Sequence, residues 1–129
     1  MVSTENSSEN GEVFIRPAEL GDIARIAEIY AHHVLQGLAT FEESPPDTDE
    51  IARRRKAVLA IGMPYIVAEL SGNVVGYAYC STYRPRPAYR HTAENSVYVY
   101  HRYPRRNIGS LLLRGLIDRV ADTDVRQII

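Results

Sequence analysis

The sequence has few of the features that mark several large classes of protein. Its 129 residues include one cysteine, Cys80, and no tryptophan, so no disulfide can form within the chain. No apolar run reaches the length that spans a bilayer or forms the core of a signal peptide. The 15 basic and 16 acidic residues give a net charge of −1, which offers no basic surplus to a polynucleotide or an anionic membrane. We therefore expect a cytoplasmic protein that binds a small molecule, with no nucleic acid and no membrane as partners.

What the sequence does contain fits a single globular domain. Hydrophobic residues make up 45% of the chain and charged residues 24%, which is ordinary for one domain of this length. Residues 1–11 are polar and lack apolar periodicity, so we expect a disordered leader there. The domain itself is expected to occupy residues 12–129.

Apolar spacing and turn residues predict the elements of this domain. The expected order is a strand at 13–15, a helix capped by Asp22 and running to about Gly37, a helix opened by Asp47 and Glu50, a hairpin of strands at 65–70 and 74–83, a strand at 96–100, a helix beyond Gly109 and the start of a strand at 126–129. The basic run at 53–56 is expected to be a solvated helix surface rather than a partner-binding patch. This order predicts an α/β domain with a mixed sheet.

The connection between the strand at 96–100 and the last helix is the most informative segment for function. Its turn contains Arg105, Arg106, Asn107 and Gly109. The N–H groups and the dipole at the start of a helix favour an anion, and arginines add charged donors. A turn of this composition is also typical of a plain solvated connection. The pattern alone leaves both interpretations open.

Five blocks of residues resemble a known family. They are 29–34 (IYAHHV), 39–42 (ATFE), 64–69 (PYIVAE), 75–78 (VGYA) and 89–99 (YRHTAENSVYV). In these blocks, and in its order of elements, the chain resembles the GNAT acetyltransferases, and within them the phosphinothricin and methionine sulfone or sulfoximine acetyltransferases. The resemblance implies the GNAT acyl-CoA N-acyltransferase fold and a homodimer. It also implies direct transfer of an acetyl group from acetyl-CoA to the amine of a small amino-acid-like substrate in a ternary complex.

The resemblance assigns roles to residues of this sequence. Acetyl-CoA would lie where two strands splay apart, held by the backbone of Val97, Tyr98 and Val99. Its pyrophosphate would be held by the turn of Arg105, Arg106, Asn107, Ile108, Gly109 and Ser110. The substrate would contact Arg84, Pro85, Arg86, Glu94, Asn95 and Ser96. An arginine in that set can hold a substrate carboxylate through two hydrogen bonds.

Glu94 is the candidate catalytic residue. An amine must lose its proton before it attacks a thioester carbonyl, so a general base is required. A backbone N–H of the predicted strand at 96–100 would stabilise the oxyanion. The alternative is a structural salt bridge between Glu94 and Arg84, Arg86 or Arg90.

Other candidate residues have weaker support. His32 and His33 are adjacent, whereas two metal ligands on one helix face need a spacing of three or four residues. We therefore expect no metal site, with one of these histidines packed and the other exposed. Cys80 lies within a strand and is expected to be a small core residue.

Two features depart from the family pattern. The family's cofactor loop usually begins with Gln or Arg and contains two small residues, and the matching positions here are Pro104, Asn107 and Gly109. The chain also ends at Ile129, before the family's later elements, so we expect a domain truncated at its C-terminal end. These departures favour an alternative, a degenerate or truncated domain that binds CoA weakly or acts as an interaction module without turnover. A nucleic-acid-binding module is disfavoured by the net charge.

Overall fold

In the computed structural model the described residues are 12–37, 42–82, 92–103, 105–121 and 127–128. They form β1 (Val13–Pro17), α1 (Ile23–Leu35), α2 (Thr48–Ala60), β2 (Tyr65–Leu70), β3 (Asn73–Thr82), β4 (Thr92–Val99), α3 (Arg105–Val120) and β5 (Gln127–Ile128). The predicted order is confirmed, but β4 begins four residues before the predicted position and α3 begins at Arg105 rather than beyond Gly109. The predicted leader at 1–11 lies outside the described residues.

The strands form one mixed sheet in the order β1-β2-β3-β4-β5. The first four strands are antiparallel, and β5 lies parallel to β4 with Thr92 opposite Gln127 and Ala93 opposite Ile128. A parallel pair requires a crossover connection, which α3 supplies. The sheet therefore confirms the predicted mixed α/β fold.

The hairpin between β2 and β3 forms at the predicted turn. Ser71 and Gly72 have φ angles of 52° and 83°, and Leu70 lies opposite Asn73. Two consecutive positive φ angles are the pattern of a type I′ turn, whose twist matches that of the two strands. The turn sets the register of the adjoining residues, and a one-residue register shift between Ala68 and Glu69 then places Tyr65 opposite Tyr79.

Helices cover both faces of the sheet. Tyr98 of β4 contacts Tyr30 of α1, with ring centroids 5.2 Å apart. On the other face, a Cβ added to Gly76 of β3 would lie 3.0 Å from Leu112 Cδ1 and 3.2 Å from Ile108 Cγ2. The missing side chain at Gly76 allows α3 to lie directly against β3. The sheet is thus buried between α1 and α2 on one side and α3 on the other, as in other layered α/β domains.

The two predicted helix caps have different outcomes. Asp47 Oδ1 accepts a hydrogen bond from the Glu50 N–H at 2.8 Å, so Asp47 caps α2 as predicted. Asp22 does not cap α1, because a one-turn 3-10 helix at Leu20–Asp22 precedes α1 and the Asp22 backbone is already helical. Its carboxylate instead accepts from the Glu19 N–H at 2.7 Å.

The basic run on α2 is only partly a solvated surface. Arg53 and Lys56 are exposed as predicted, whereas Arg54 and Arg55 are half-buried. Arg55 Nη2 donates to the Ala18 carbonyl at 2.9 Å. The prediction was wrong for Arg54 and Arg55, because a long arginine side chain on a packed helix can reach partners on neighbouring segments.

An ion-pair network joins β1 to β2 and to the 3-10 helix that precedes α1. Arg16 of β1 donates to both Asp22 oxygens at 2.9 and 3.0 Å and to Glu69 Oε1 at 2.8 Å. Burial acts to raise the pKa of Asp22, but hydrogen bonds from Arg16 and from the Glu19 N–H outweigh it, so the pKa lies below its ordinary value of 3.8. Asp22 therefore stabilises the fold most when it is ionised.

The lowered pKa of Asp22 predicts a pH dependence of stability. Its contribution should be present above pH 3.8, the ordinary value, and lost as the pH falls through the lower pKa of the folded state. We expect Asp22→Asn to lower the free energy of unfolding by about 1–3 kcal/mol at pH 7, and by less at pH 3. Urea unfolding at the two pH values measures this, with Asp118→Asn on the exposed face of α3 as the control. An equal loss at both pH values would contradict the assignment.

Within the described residues, no helix is both long enough and apolar enough to cross a bilayer.

Candidate active site

Near the end of β4, some backbone N–H and C=O groups point to the outer edge of the strand, the edge that faces away from β3. Directly opposite residues in an antiparallel pair alternate between exchanging two backbone hydrogen bonds and exchanging none. The Tyr100 N–H donates to the Val75 carbonyl at 2.8 Å, and the preceding pair is Val99 with Gly76. Val99 and Val97 therefore direct their N–H and C=O groups away from β3.

That outer edge of β4 is the edge on which β5 pairs. In the described residues the pairing covers Thr92 and Ala93, at the opposite end of β4 from Val97 and Val99. The backbone of Val97 and Val99 thus lies where an extended ligand can bind by strand-like hydrogen bonds. This is the placement that the resemblance implied for the residues that hold acetyl-CoA.

The N-terminus of α3 lies beside this edge. The N–H groups of the first three residues of a helix have no partner within the helix, and here they belong to 105–107. A Cβ added to Gly109 would lie 3.9 Å from Val99 Cγ2, so the first turns of α3 pack on the end of β4. The positive end of the helix dipole and its N–H groups together form a site suited to an anion.

The structure corrects the predicted shape of the anion site. Residues 105–110 were expected to form a turn before the helix, but they are all helical. In the described residues neither Asn107 nor Gly109 has a positive φ, so Asn107 does not need the left-handed conformation of a glycine. Pro104 lies outside the described residues. The departure at Asn107 therefore carries no backbone cost.

A histidine of α1 supports the same end of β4. His33 is 5% exposed, and its Nε2 lies 3.2 Å from the Val99 carbonyl oxygen. Its ring also makes an edge contact with Tyr98, with centroids 5.2 Å apart. The neighbouring His32 is half-buried and stacks on His101 with centroids 3.9 Å apart. The prediction of one packed histidine is confirmed at His33, but the prediction that the other is exposed was wrong, because His32 is half-buried by its stacking on His101.

Glu94 lies on β4 opposite Ser81 and is exposed. Side chains alternate between the faces of a strand, so Glu94 and Ser96 share the α1–α2 face with Tyr98. Asn95 lies on the α3 face instead. The structure therefore brings two of the three predicted β4 substrate residues together, whereas Arg84, Pro85, Arg86 and Arg90 lie outside the described residues.

A group of tyrosines on the α1–α2 face was not predicted as part of the site. Tyr65 of β2 stacks on Tyr79 of β3 with centroids 4.9 Å apart and on Tyr77 at 5.9 Å. We call the space above them the tyrosine pocket. It is lined by Tyr30, Ile51, Arg54, Tyr65, Tyr77 and Tyr79. Tyr77 and Tyr79 are two residues apart on β3, so the sequence alone places both on one face of that strand. Tyr65 lies on β2, and only the pairing register of β2 with β3 places it beside them.

Among the described residues that line the tyrosine pocket there is one cationic side chain, and its charge is paired. Arg54 Nη1 and Nη2 donate to the two oxygens of Glu42 at 3.0 and 2.9 Å, and its Nε donates to Glu50 at 2.8 Å. The hydrogen bonds from Arg54 are the main reason why the pKa of Glu42 is lowered, burial opposes them, and the Tyr30 hydroxyl adds a further hydrogen bond. Glu42 is therefore ionised at neutral pH.

The hydroxyls of Tyr65, Tyr77 and Tyr98 are neutral near pH 7. Burial raises the pKa of Tyr98 to about 12, and it also raises the pKa values of Tyr65 and Tyr77. These phenols can therefore donate hydrogen bonds but do not act as bases near neutral pH.

Cys80 and the metal-binding residue types form no second site in the described residues. Cys80 is fully buried, as predicted for a core residue, and burial raises the pKa of its thiol to about 11. Within the same residues, no three His, Cys, Asp or Glu side chains come close enough together to hold a metal ion.

The sequence of this chain matches a known protein family. Residues 26–129 match the acetyltransferase (GNAT) family. The chain is 46% identical to a phosphinothricin N-acetyltransferase of Alcaligenes faecalis and 38% identical to an L-methionine sulfoximine/L-methionine sulfone acetyltransferase of Salmonella typhimurium. These matches cover 89% and 81% of this chain, which spans 58% and 61% of the length of those relatives.

A solved structure shows the same arrangement of elements. It is a GNAT superfamily phosphinothricin acetyltransferase from Sinorhizobium meliloti in complex with AcCoA, which is 42% identical and superposes with a TM-score of 0.78. The match covers 83% of this chain and 58% of that structure. With the order of elements, the mixed sheet and these matches in agreement, the chain belongs to the acetyltransferase (GNAT) family.

Proposed function

We propose that the protein transfers the acetyl group of acetyl-CoA to the amine of a small amino-acid-like substrate. The observation that carries the proposal is the juxtaposition of the outer edge of β4 with the N-terminus of α3. The first offers backbone donors and acceptors at Val97 and Val99, and the second offers an anion site at residues 105–107. An elongated ligand with an amide-containing arm and a pyrophosphate matches this pair of features.

The residues present can hold acetyl-CoA as a cosubstrate. The backbone of Val97 and Val99 would hydrogen-bond the pantetheine arm, and one of their N–H groups would stabilise negative charge on the thioester oxygen as it develops. The N–H groups of residues 105–107 would hold the pyrophosphate, with Ile108, Gly109 and Ser110 following on the same helix. Tyr98 completes the set that the resemblance implied.

Glu94 is the proposed general base of this reaction. It would accept a proton from the substrate ammonium group, directly or through water. The neutral amine would then attack the thioester carbonyl, a C–N bond would form, and the C–S bond would break to release the CoA thiol. Ser96 shares the face of Glu94, and a guanidinium of Arg84 or Arg86 would hold the substrate carboxylate.

Thiol release from acetyl-CoA tests this proposal. Purified chain should release thiol with methionine sulfone, methionine sulfoximine or phosphinothricin and little without an amino acid. A calorimetric titration with acetyl-CoA, run in parallel, separates the alternative of a domain that binds CoA without turnover. Binding without amine-dependent thiol release would support that alternative and contradict the proposal. The predicted homodimer and cytoplasmic location remain predictions.

A further inference from the structure

His33 of α1 contacts the last carbonyl of β4, at the outer edge of that strand. Its Nε2 lies 3.2 Å from the Val99 oxygen, and both residues are buried, at 5% exposure each. A carbonyl oxygen carries no proton, so the hydrogen of this bond must be on Nε2. His33 is therefore a donor through Nε2, and it keeps that donor in the neutral Nε2–H form and in the imidazolium form.

The histidine takes the place that a neighbouring strand would otherwise have. In the described part of the sheet, β5 pairs with β4 at Thr92 and Ala93, so this pairing does not reach the Val99 carbonyl. A buried backbone carbonyl requires a hydrogen-bond partner, and His33 supplies one. A carbonyl has two lone pairs, so His33 leaves the second for a ligand at the same edge.

The peptide group between Val99 and Tyr100 is thereby held at both ends. Its N–H donates to the Val75 carbonyl at 2.8 Å, and its C=O accepts from His33. Helix α1 also contacts the Tyr100 side, because the Arg25 guanidinium lies 3.9 Å from the centroid of the Tyr100 ring. Two side chains of α1 therefore fix the direction of the backbone where β4 ends and the connection to α3 begins.

We propose that His33 is a positioning residue for acetyl-CoA: its Nε2–H bond to the Val99 carbonyl orients the backbone groups that bind the pantetheine arm. This inference rests on the proposed function and adds a residue to its acetyl-CoA site. His33 acts through the backbone of β4 and not by contact with acetyl-CoA. Without this donor the buried carbonyl loses a partner, and the edge of β4 is no longer preorganised for the ligand.

Calorimetric titration of the full chain with acetyl-CoA tests the proposal in two variants of His33. His33→Phe keeps a ring against Tyr98 but removes the donor, and we expect the affinity to fall about tenfold. His33→Gln loses the ring but places an N–H donor at a similar distance from the backbone, so its affinity should stay within about threefold of wild type. His32→Phe is the control, because a phenyl ring can still stack on His101, and it should bind as tightly as wild type.

A second measurement depends neither on binding nor on turnover. The nitrogen chemical shifts of the His33 ring at about pH 8, where an ordinary histidine is neutral, should show a protonated Nε2. An unprotonated Nε2 would overturn the proposal even if a variant failed to fold.

The titration separates this inference from the proposed function. Equal affinities of wild type and His33→Phe would overturn the inference alone. An equal loss in His33→Gln and His33→Phe would do the same, because it would show an effect of ring packing and not of the donor. No binding of acetyl-CoA by the folded wild-type protein would contradict the proposed function as well.

Discussion

Replacing Glu94 with glutamine is expected to lower the kcat for amine acetylation by about 10²–10⁴-fold and to leave acetyl-CoA affinity nearly unchanged. Glutamine keeps the size of the side chain but cannot accept the ammonium proton. The proposed contacts of acetyl-CoA are to the backbone of β4 and α3, so its binding does not depend on the Glu94 carboxylate. Thiol release at saturating amino acid and a calorimetric titration with acetyl-CoA measure the two effects.

The control for Glu94 is Glu12→Gln, an exposed residue just before β1, which should retain wild-type turnover. If Glu94 instead forms a structural salt bridge with a nearby arginine, Glu94→Gln would lower thermal stability and leave kcat within a few-fold of wild type. That pattern would contradict its role as the base.

The second large effect is expected from α3. Leu112 is fully buried against β3 at Gly76, and Leu112→Ala should lower the free energy of unfolding by about 2–5 kcal/mol through lost burial and a cavity. Leu113 is the next residue on the same helix and is 38% exposed. Leu113→Ala should therefore cost about 1 kcal/mol or less. Urea unfolding of both variants measures the difference.

The same pair of variants tests whether α3 positions the anion site. Below the urea concentration at which it unfolds, Leu112→Ala should bind acetyl-CoA more weakly than wild type, because the N-terminus of α3 is held to β4 by the packing of this helix. Equal losses of stability for Leu112→Ala and Leu113→Ala would contradict the burial of α3 against the sheet.

Much of the fold follows from local patterns in the sequence. The turn at Ser71 and Gly72 and the N-cap at Asp47 act within a few residues, so their sequence signals are sufficient. The start of α3 was predicted too late because Gly109 was interpreted as a turn residue. Gly109 is nevertheless helical, because the packing of α3 on β4, where a Cβ at Gly109 would lie 3.9 Å from Val99 Cγ2, outweighs the low helix propensity of one glycine. That tertiary contact is not visible in the local sequence.

The sequence predicts the candidate site best where its residues lie on a single strand. Alternation along β4 puts Glu94 and Ser96 on one face and Asn95 on the other, but the predicted strand began at 96, so this placement needed the observed start of β4 at Thr92. The tyrosine pocket required the register that sets Tyr65 against Tyr79. Arg54 of α2 pairs with Glu42, which lies on the segment before α2. This pairing depends on the tertiary path of that segment, and no rule of residue spacing predicts it.

The most direct test of the account is mass spectrometry of L-methionine sulfone after incubation with isotopically labelled acetyl-CoA and the purified chain. The account predicts that the labelled acetyl group appears on the amino nitrogen, in an amount equal to the thiol released, and that Glu94→Gln reduces both together. Release of thiol without N-acetylated amino acid, or no labelled product from a folded chain that binds acetyl-CoA, would contradict it.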